Sequence, residues 1–157
     1  MRFAYERYDI PKSPLDGSTK IYRPEIPIHL LGKTGELFSY GLVDTGADSV
    51  VISTTIAEHI GAQCDTTRRW PVHGFAGQTV EAMLGHLELE IVGPRESYCW
   101  RLPVAVVEYP DDSQEEIIAL GQLGFLEHFD VRFFGDAHVL ELKPNTRFPK
   151  QRRRSTK

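Results

Sequence analysis

The apolar residues of this chain come in short runs divided by turn residues, and that spacing limits the fold more than any other feature. "IPIHLLG" (26–32), "ELFSYGLVD" (36–44), "SVVIS" (49–53) and "IIALG" (117–121) have strand length, and "SVVIS" is continuously apolar, as a buried strand is. "GKTG" (32–35) joins the first two as a hairpin turn. "TVEAMLGHLELEIVG" (79–93) alternates, with Leu87, Leu89 and Ile91 on one face and His86, Glu88 and Glu90 on the other. "YCWRLPVAVVEY" (98–109) reads as a strand broken by Pro103, and "DVRFF" (130–134) with "HVLEL" (138–142) as a closing hairpin. Helical signals are brief. "STTIAEHIGA" (53–62) has hydroxyls to cap it and Gly61 to end it, and "GQLGFLEHF" (121–129) suits a second short helix. Seven to nine short strands and one or two short helices predict a mostly β, closed, barrel-like domain.

The chain has 157 residues, enough for one domain with a sizeable core. Residues 1–25 read as an irregular lead-in, 26–143 as the domain, and 144–157 as a basic, disordered tail. Residues 147–157 carry six basic side chains and no acid, so the remaining residues sum to −10 of the net −4. Such a tail leaves nucleic acid open as a partner, but a solvated terminus is the plainer reading. No run of about 18 apolar residues is present, so no membrane span is expected. "MRFAYERYDIPK" is charged where a secretory signal needs its apolar stretch, and a cytoplasmic address follows as the expectation. Cys64 and Cys99 read as isolated buried thiols, with a disulfide as the alternative that nothing in the sequence asks for. The six histidines form no H-E-x-x-H and no compact His/Cys cluster, so neither a metal site nor a cofactor is expected. Asp111, Asp112, Glu115 and Glu116 read as a solvated loop. Trp70 and Trp100 read as core, and His73 as a surface residue.

One stretch carries chemistry. In "SYGLVDTGADSVVIS" (39–53), Asp44, Thr45 and Gly46 stand between two apolar strands. A carboxylate beside buried strands is costly unless it is paired or has a task. Gly46 permits a tight turn and offers an amide to the carboxylate, Thr45 a hydroxyl that donates and accepts, and Ala47 leaves room. A plain turn accounts for the three residues equally well, and the framing strands are what favour a site.

"LVDTGADSVVIS" resembles the active-site strand-loop-strand of the retropepsins, the retroviral-type aspartic proteases, without a gap from Leu42 to Ile52. "IIALGQLGFLEHFDVRF" (117–133) is similar to the family's apolar-apolar-x-Gly segment and following helix. "VHGFAGQTV" (72–80) is similar, more loosely, to its glycine-containing flap. The resemblance spans roughly residues 26–142. It implies a retropepsin (acid protease) fold and an aspartic endopeptidase whose two catalytic carboxylates are Asp44 from each subunit of a homodimer. It also implies loop roles for Thr45 and Gly46 and substrate contacts by Ala47, Asp48 and the flap residues Gly74, Phe75, Ala76, Gly77 and Gln78. Ile117, Ile118 and Leu120 would wall a pocket for an apolar side chain of an extended peptide or protein substrate. Where many retroviral members have Arg after the glycine, Gly121 is followed by Gln122, which can hydrogen-bond Asp48 but cannot form an ion pair. The chain holds a single D-T-G, and neither "LDGS" (15–18) nor "FGDAH" (134–138) supplies a second acid loop. A two-fold interface juxtaposes a patch with itself, so one loop can furnish both acids. A binding or dimerisation module on the same fold is the alternative.

Overall fold

The computed structural model describes residues 1–73, 79–93, 96–108 and 118–149. Its strands, in chain order, are β1 (Arg2–Ala4), β2 (Glu6–Asp9), β3 (Lys20–Arg23), β4 (Glu25–Leu31), β5 (Glu36–Val43), β6 (Val51–Ser53), β7 (Gln63–His73), β8 (Thr79–Val92), β9 (Ser97–Val107), β10 (Ile118–Leu120), β11 (Phe129–Phe134) and β12 (Val139–Pro144). Among the described residues one helix, α1 (Thr54–Ile60), follows β6, and one 3₁₀ turn covers Leu126–His128. The fold is mostly β.

Six strands close into a barrel in the order β4-β5-β10-β6-β9-β8, and β8 returns to pair with β4. Strand alternation fills it. Ile26, Ile28 and Leu30 of β4, Leu87, Leu89 and Ile91 of β8, and Ile118 and Leu120 of β10 are buried in one core. Removing such side chains from water stabilises the fold by about 1.5–3 kcal/mol each. Gly41 makes room for this packing, since a Cβ there would lie 2.8 Å from Leu120 Cγ. At the β4–β8 seam, His29 Nδ1 lies 3.2 Å from Glu90 and Nε2 3.0 Å from Glu36, while the ring stacks on Phe38 at 3.8 Å.

The helix over 53–62 forms as its caps predict. Ser53 Oγ accepts from the Ile56 amide at 3.0 Å, and Gly61 ends the helix in the left-handed region at φ 68°. The second helix shrinks to the 3₁₀ turn because Gly124, at φ 91°, interrupts the segment before it can propagate. Pro103 does not break β9. Ala105 donates to Val50 at 2.8 Å, so two residues earlier the Pro103 nitrogen faces the same side, short of the start of β6, where no ladder bond is required.

Residues 1–25 are more ordered than their composition suggested. β1 pairs with β12 in a three-stranded sheet with β11, and β2 and β3 form their own hairpin, leaving 10–19 without strand. Backbone hydrogen bonds anchor the segment, beginning with Met1 N donating to Leu142 O at 2.7 Å, and Met1, Phe3 and Tyr5 pack against the core. Residues 144–149 are likewise not a free tail. The Asn145 amide donates to His128 O, and Phe148 packs at 5.3 Å from Trp100 and 5.2 Å from Phe129. Residues 150–157 and the 111–116 loop lie outside the described residues. Trp100 is buried as expected, and its indole donates to Gly124 O at 2.9 Å. Trp70 is 37% exposed because it lies on β7, the outermost strand. Neither cysteine is buried: Cys64 is exposed on that same strand and Cys99 half-buried. No helix among the described residues is long and apolar enough to cross a membrane.

Ser53→Ala removes the α1 cap and is expected to lower unfolding free energy by about 1 kcal/mol in a denaturant titration.

Candidate active-site loop

Strand β10 wedges between β5 and β6. It runs parallel to β5, with Ile118, Ala119 and Leu120 beside Gly41, Leu42 and Val43, and meets β6 antiparallel at Ala119↔Val51. β5 and β6 are consecutive in sequence but not adjacent in the sheet, so the segment joining them must cross the end of β10. That segment holds Asp44, Thr45, Gly46, Ala47 and Asp48.

The crossing is clamped from below by the chain leaving β10. Asp44 N donates to Leu120 O at 3.2 Å, Gln122 N to Ala47 O at 2.9 Å, Leu123 N to Asp48 O at 2.9 Å and Val50 N to Leu123 O at 3.1 Å. Gln122 adds its side chain, Nε2 donating to Thr45 O at 3.0 Å. The amide therefore bonds to the loop's backbone, where its expected partner was Asp48. The two segments touch closely enough to require glycine. A Cβ on Gly121 would lie 2.3 Å from Ser49 O and 2.5 Å from Ala47 O. At Gly46 the demand is milder, with the nearest atom, Asp44 Oδ1, at 3.3 Å.

Asp44 is half-buried, Ala47 is half-buried, and Thr45, Gly46 and Asp48 are exposed. The Gly46 amide donates to Asp44 Oδ1 at 2.9 Å, as its position in the motif predicted. Equivalent two-residue bonds occur at Asp16, Asp65 and Asn145, so this bond alone does not distinguish Asp44 from an ordinary Asx turn. The clamp does: a turn needs no second segment threaded beneath it. Beside the loop, Leu123 is 50% exposed.

Ile118 and Leu120, expected as pocket wall, are core residues at 1% and 0% exposure. β10 has strands on both sides, and the pleat turns these two side chains into the barrel. Leu120 serves the loop through its carbonyl instead. Ile117 and the flap residues Gly74, Phe75, Ala76, Gly77 and Gln78 lie outside the described residues. β7 and β8 pair antiparallel as far as His73↔Thr79, so 74–78 connect two neighbouring strands.

A cluster not anticipated from the sequence braces the other side. Glu25, buried at the start of β4, accepts a hydrogen bond from the Tyr8 hydroxyl of β2 and lies 3.8 Å from Arg23. Arg23 in turn lies over the Tyr8 ring, 5.0 Å from its centroid. Glu25 is paired with Leu42, two residues before Asp44, and Val43 N donates to Pro24 O at 3.0 Å. The N-terminal hairpin is thus tied to the strand that delivers the acid. The one legible signal was Glu25 itself, an acid opening an apolar strand. The bond to Glu25, followed by burial and the carboxylate's charge, pushes the Tyr8 phenol up to about 12.

A scan of protein-family models finds none that matches the chain, and a search of curated proteins likewise finds no match.

Two outcomes follow. Gly121→Ala is expected to cost about 1–3 kcal/mol by forcing the two segments apart, and to shift the Gly46 amide resonance. In an ultraviolet titration one tyrosine should ionise near pH 12, and Tyr8→Phe should remove that step. Because folding raises this pKa, its stabilising contribution is complete below about pH 10 and disappears as pH rises through about 12.

Proposed function

We propose that the chain is an aspartic endopeptidase that works as a homodimer, with Asp44 of each subunit forming the catalytic pair. The observation that carries this reading is the Asp44 loop: one acid on an exposed crossing, clamped rigidly on its inner side and open on its outer side. A rigid loop is what a positioned carboxylate needs. Its exposure leaves room for a second copy of the same loop, and the half-exposed Leu123 beside it offers apolar surface to such a contact.

The chemistry follows from bringing two carboxylates together. They resist double ionisation and share a proton, titrating as a pair. The ionised member takes a proton from water as that water attacks the peptide carbonyl, and the protonated member supplies one to the leaving nitrogen. The Gly46 amide holds one Asp44 oxygen in place, and the Thr45 hydroxyls brace the loops across the axis. Ala47 and Asp48 meet the backbone of an extended peptide. The retropepsin resemblance supports the same assignment. No side-chain preference is inferred, since Ile118 and Leu120 belong to the core.

The test is cleavage of a mixed peptide library from about pH 3 to about pH 8, with molar mass followed by light scattering. Wild type should cut with a bell-shaped pH profile that tracks the dimer fraction, and Asp44→Asn should lose activity by on the order of 10³-fold or more. Adding excess Asp44→Asn subunits to wild type should suppress the remaining activity, because mixed pairs have only one intact acid. A stable dimer that binds peptide and cuts none at any pH would make the chain a binding module. Cleavage by a strict monomer would place the second acid elsewhere in the chain.

A further inference from the structure

The edge of β8 changes partner midway. β7 covers it as far as Gln63↔His86, and β4 takes over from Leu31↔Glu88, so at Leu87 neither neighbour is in register. The fork opens a recess of about 260 Å³ on the outer wall, bordered by the Gly32 turn. That turn is at the end of β5 opposite Asp44.

Basic groups gather around this recess. Lys33, His86 and Arg101 line it together with Gln63 and Glu88. Glu88 faces Arg101 directly across the β8–β9 ladder, an arrangement that ordinarily yields an ion pair. Here the Arg101 guanidinium reaches over β8 and donates from Nη2 to Gln63 Oε1. Among the described residues Lys33, His86, Glu88 and Arg101 form no salt bridge. Counting Lys33, Arg101 and Glu88, the recess is net positive, in a chain that is net negative. The bond to Gln63 engages one arm of the guanidinium fork, and its other donors have no hydrogen-bond partner among the described residues, the condition in which arginine grips a planar or tetrahedral oxyanion.

We propose that this recess binds a small oxyanion, a phosphate or a carboxylate, with Arg101 and Lys33 as its charged partners and His86 as a flanking donor. Its volume is below that of pockets for drug-sized ligands and leaves room for a small anion. The site is independent of Asp44 and of any proteolysis.

Amide spectra of the full chain, titrated at constant ionic strength with inorganic phosphate and separately with succinate, test it. Saturable shifts are expected at Gly32, Lys33 and His86 to Glu88, and the ligand that saturates first identifies the anion class. Arg101→Ala and Lys33→Ala should each weaken binding by about tenfold, Glu88→Gln should tighten it, and Asp44→Asn should leave it unchanged. All these positions but Asp44 are at the barrel surface, and circular dichroism confirms that each variant is folded. Shifts that do not saturate, that spread equally to Lys20 and Lys143, or that persist unaltered in Arg101→Ala would overturn the proposal.

Discussion

The insertion of β10 between β5 and β6 is the constraint on which the rest of the molecule depends. Two strands consecutive in sequence are held two strand spacings apart, roughly 9–10 Å, so the segment between them has to bridge a third strand. The bridging segment and the chain emerging from β10 then occupy neighbouring space and satisfy one another's backbone groups. Polar groups at the end of a barrel are costly when unpaired, and reciprocal bonding between two loops removes that cost without water. Gly121 is the point at which this economy of space is tightest.

This arrangement separates rigidity from burial. A carboxylate fixed by sinking it into the core would bear a desolvation penalty of several kcal/mol. Asp44 avoids that, since its loop is held through main-chain atoms from beneath and its side chain remains half-exposed. The Tyr8–Glu25–Arg23 cluster takes the other course on the far side. There the acid that does become buried has a hydroxyl and a guanidinium for company.

Elements whose side chains obey one strong period were legible in advance. β8 alternates because one face meets the core and the other water, and its inward and outward residues were assigned correctly along Leu87–Ile91. The Asp44 loop was legible because its residue types are unusual between apolar strands. β7 was missed since both its faces are largely exposed, so "QCDTTRRWPVH" has no apolar alternation to read. β1, β2 and β3 were missed for a related reason: their positions come from pairing with β12 and with each other, and pairing leaves little trace in a single strand's composition. Pro103 misled because a proline in a strand is disruptive only where its nitrogen faces a partner. Ile118 and Leu120 were assigned to a pocket by analogy of order, while the pleat decides which way a side chain points.

The barrel's two seams differ in reach. β8 and β9 are joined by a short connection and matched over eleven pairs, whereas β4 meets β8 over three, from partners such as His29 and Glu90 that are 61 residues apart. Closing so long a loop for so few bonds is entropically unfavourable until most of the chain is already in place. The three pairs between β5 and β10 close a still longer loop, since Gly41 and Ile118 lie farther apart in sequence than His29 and Glu90. Parting β4 from β8 would still leave β4 held by its seven pairs with β5, whereas β10 has three pairs with β5 and one with β6. The acid loop thus depends on a short pairing supplied from far along the chain, and its frame is complete only once most of the chain is in place.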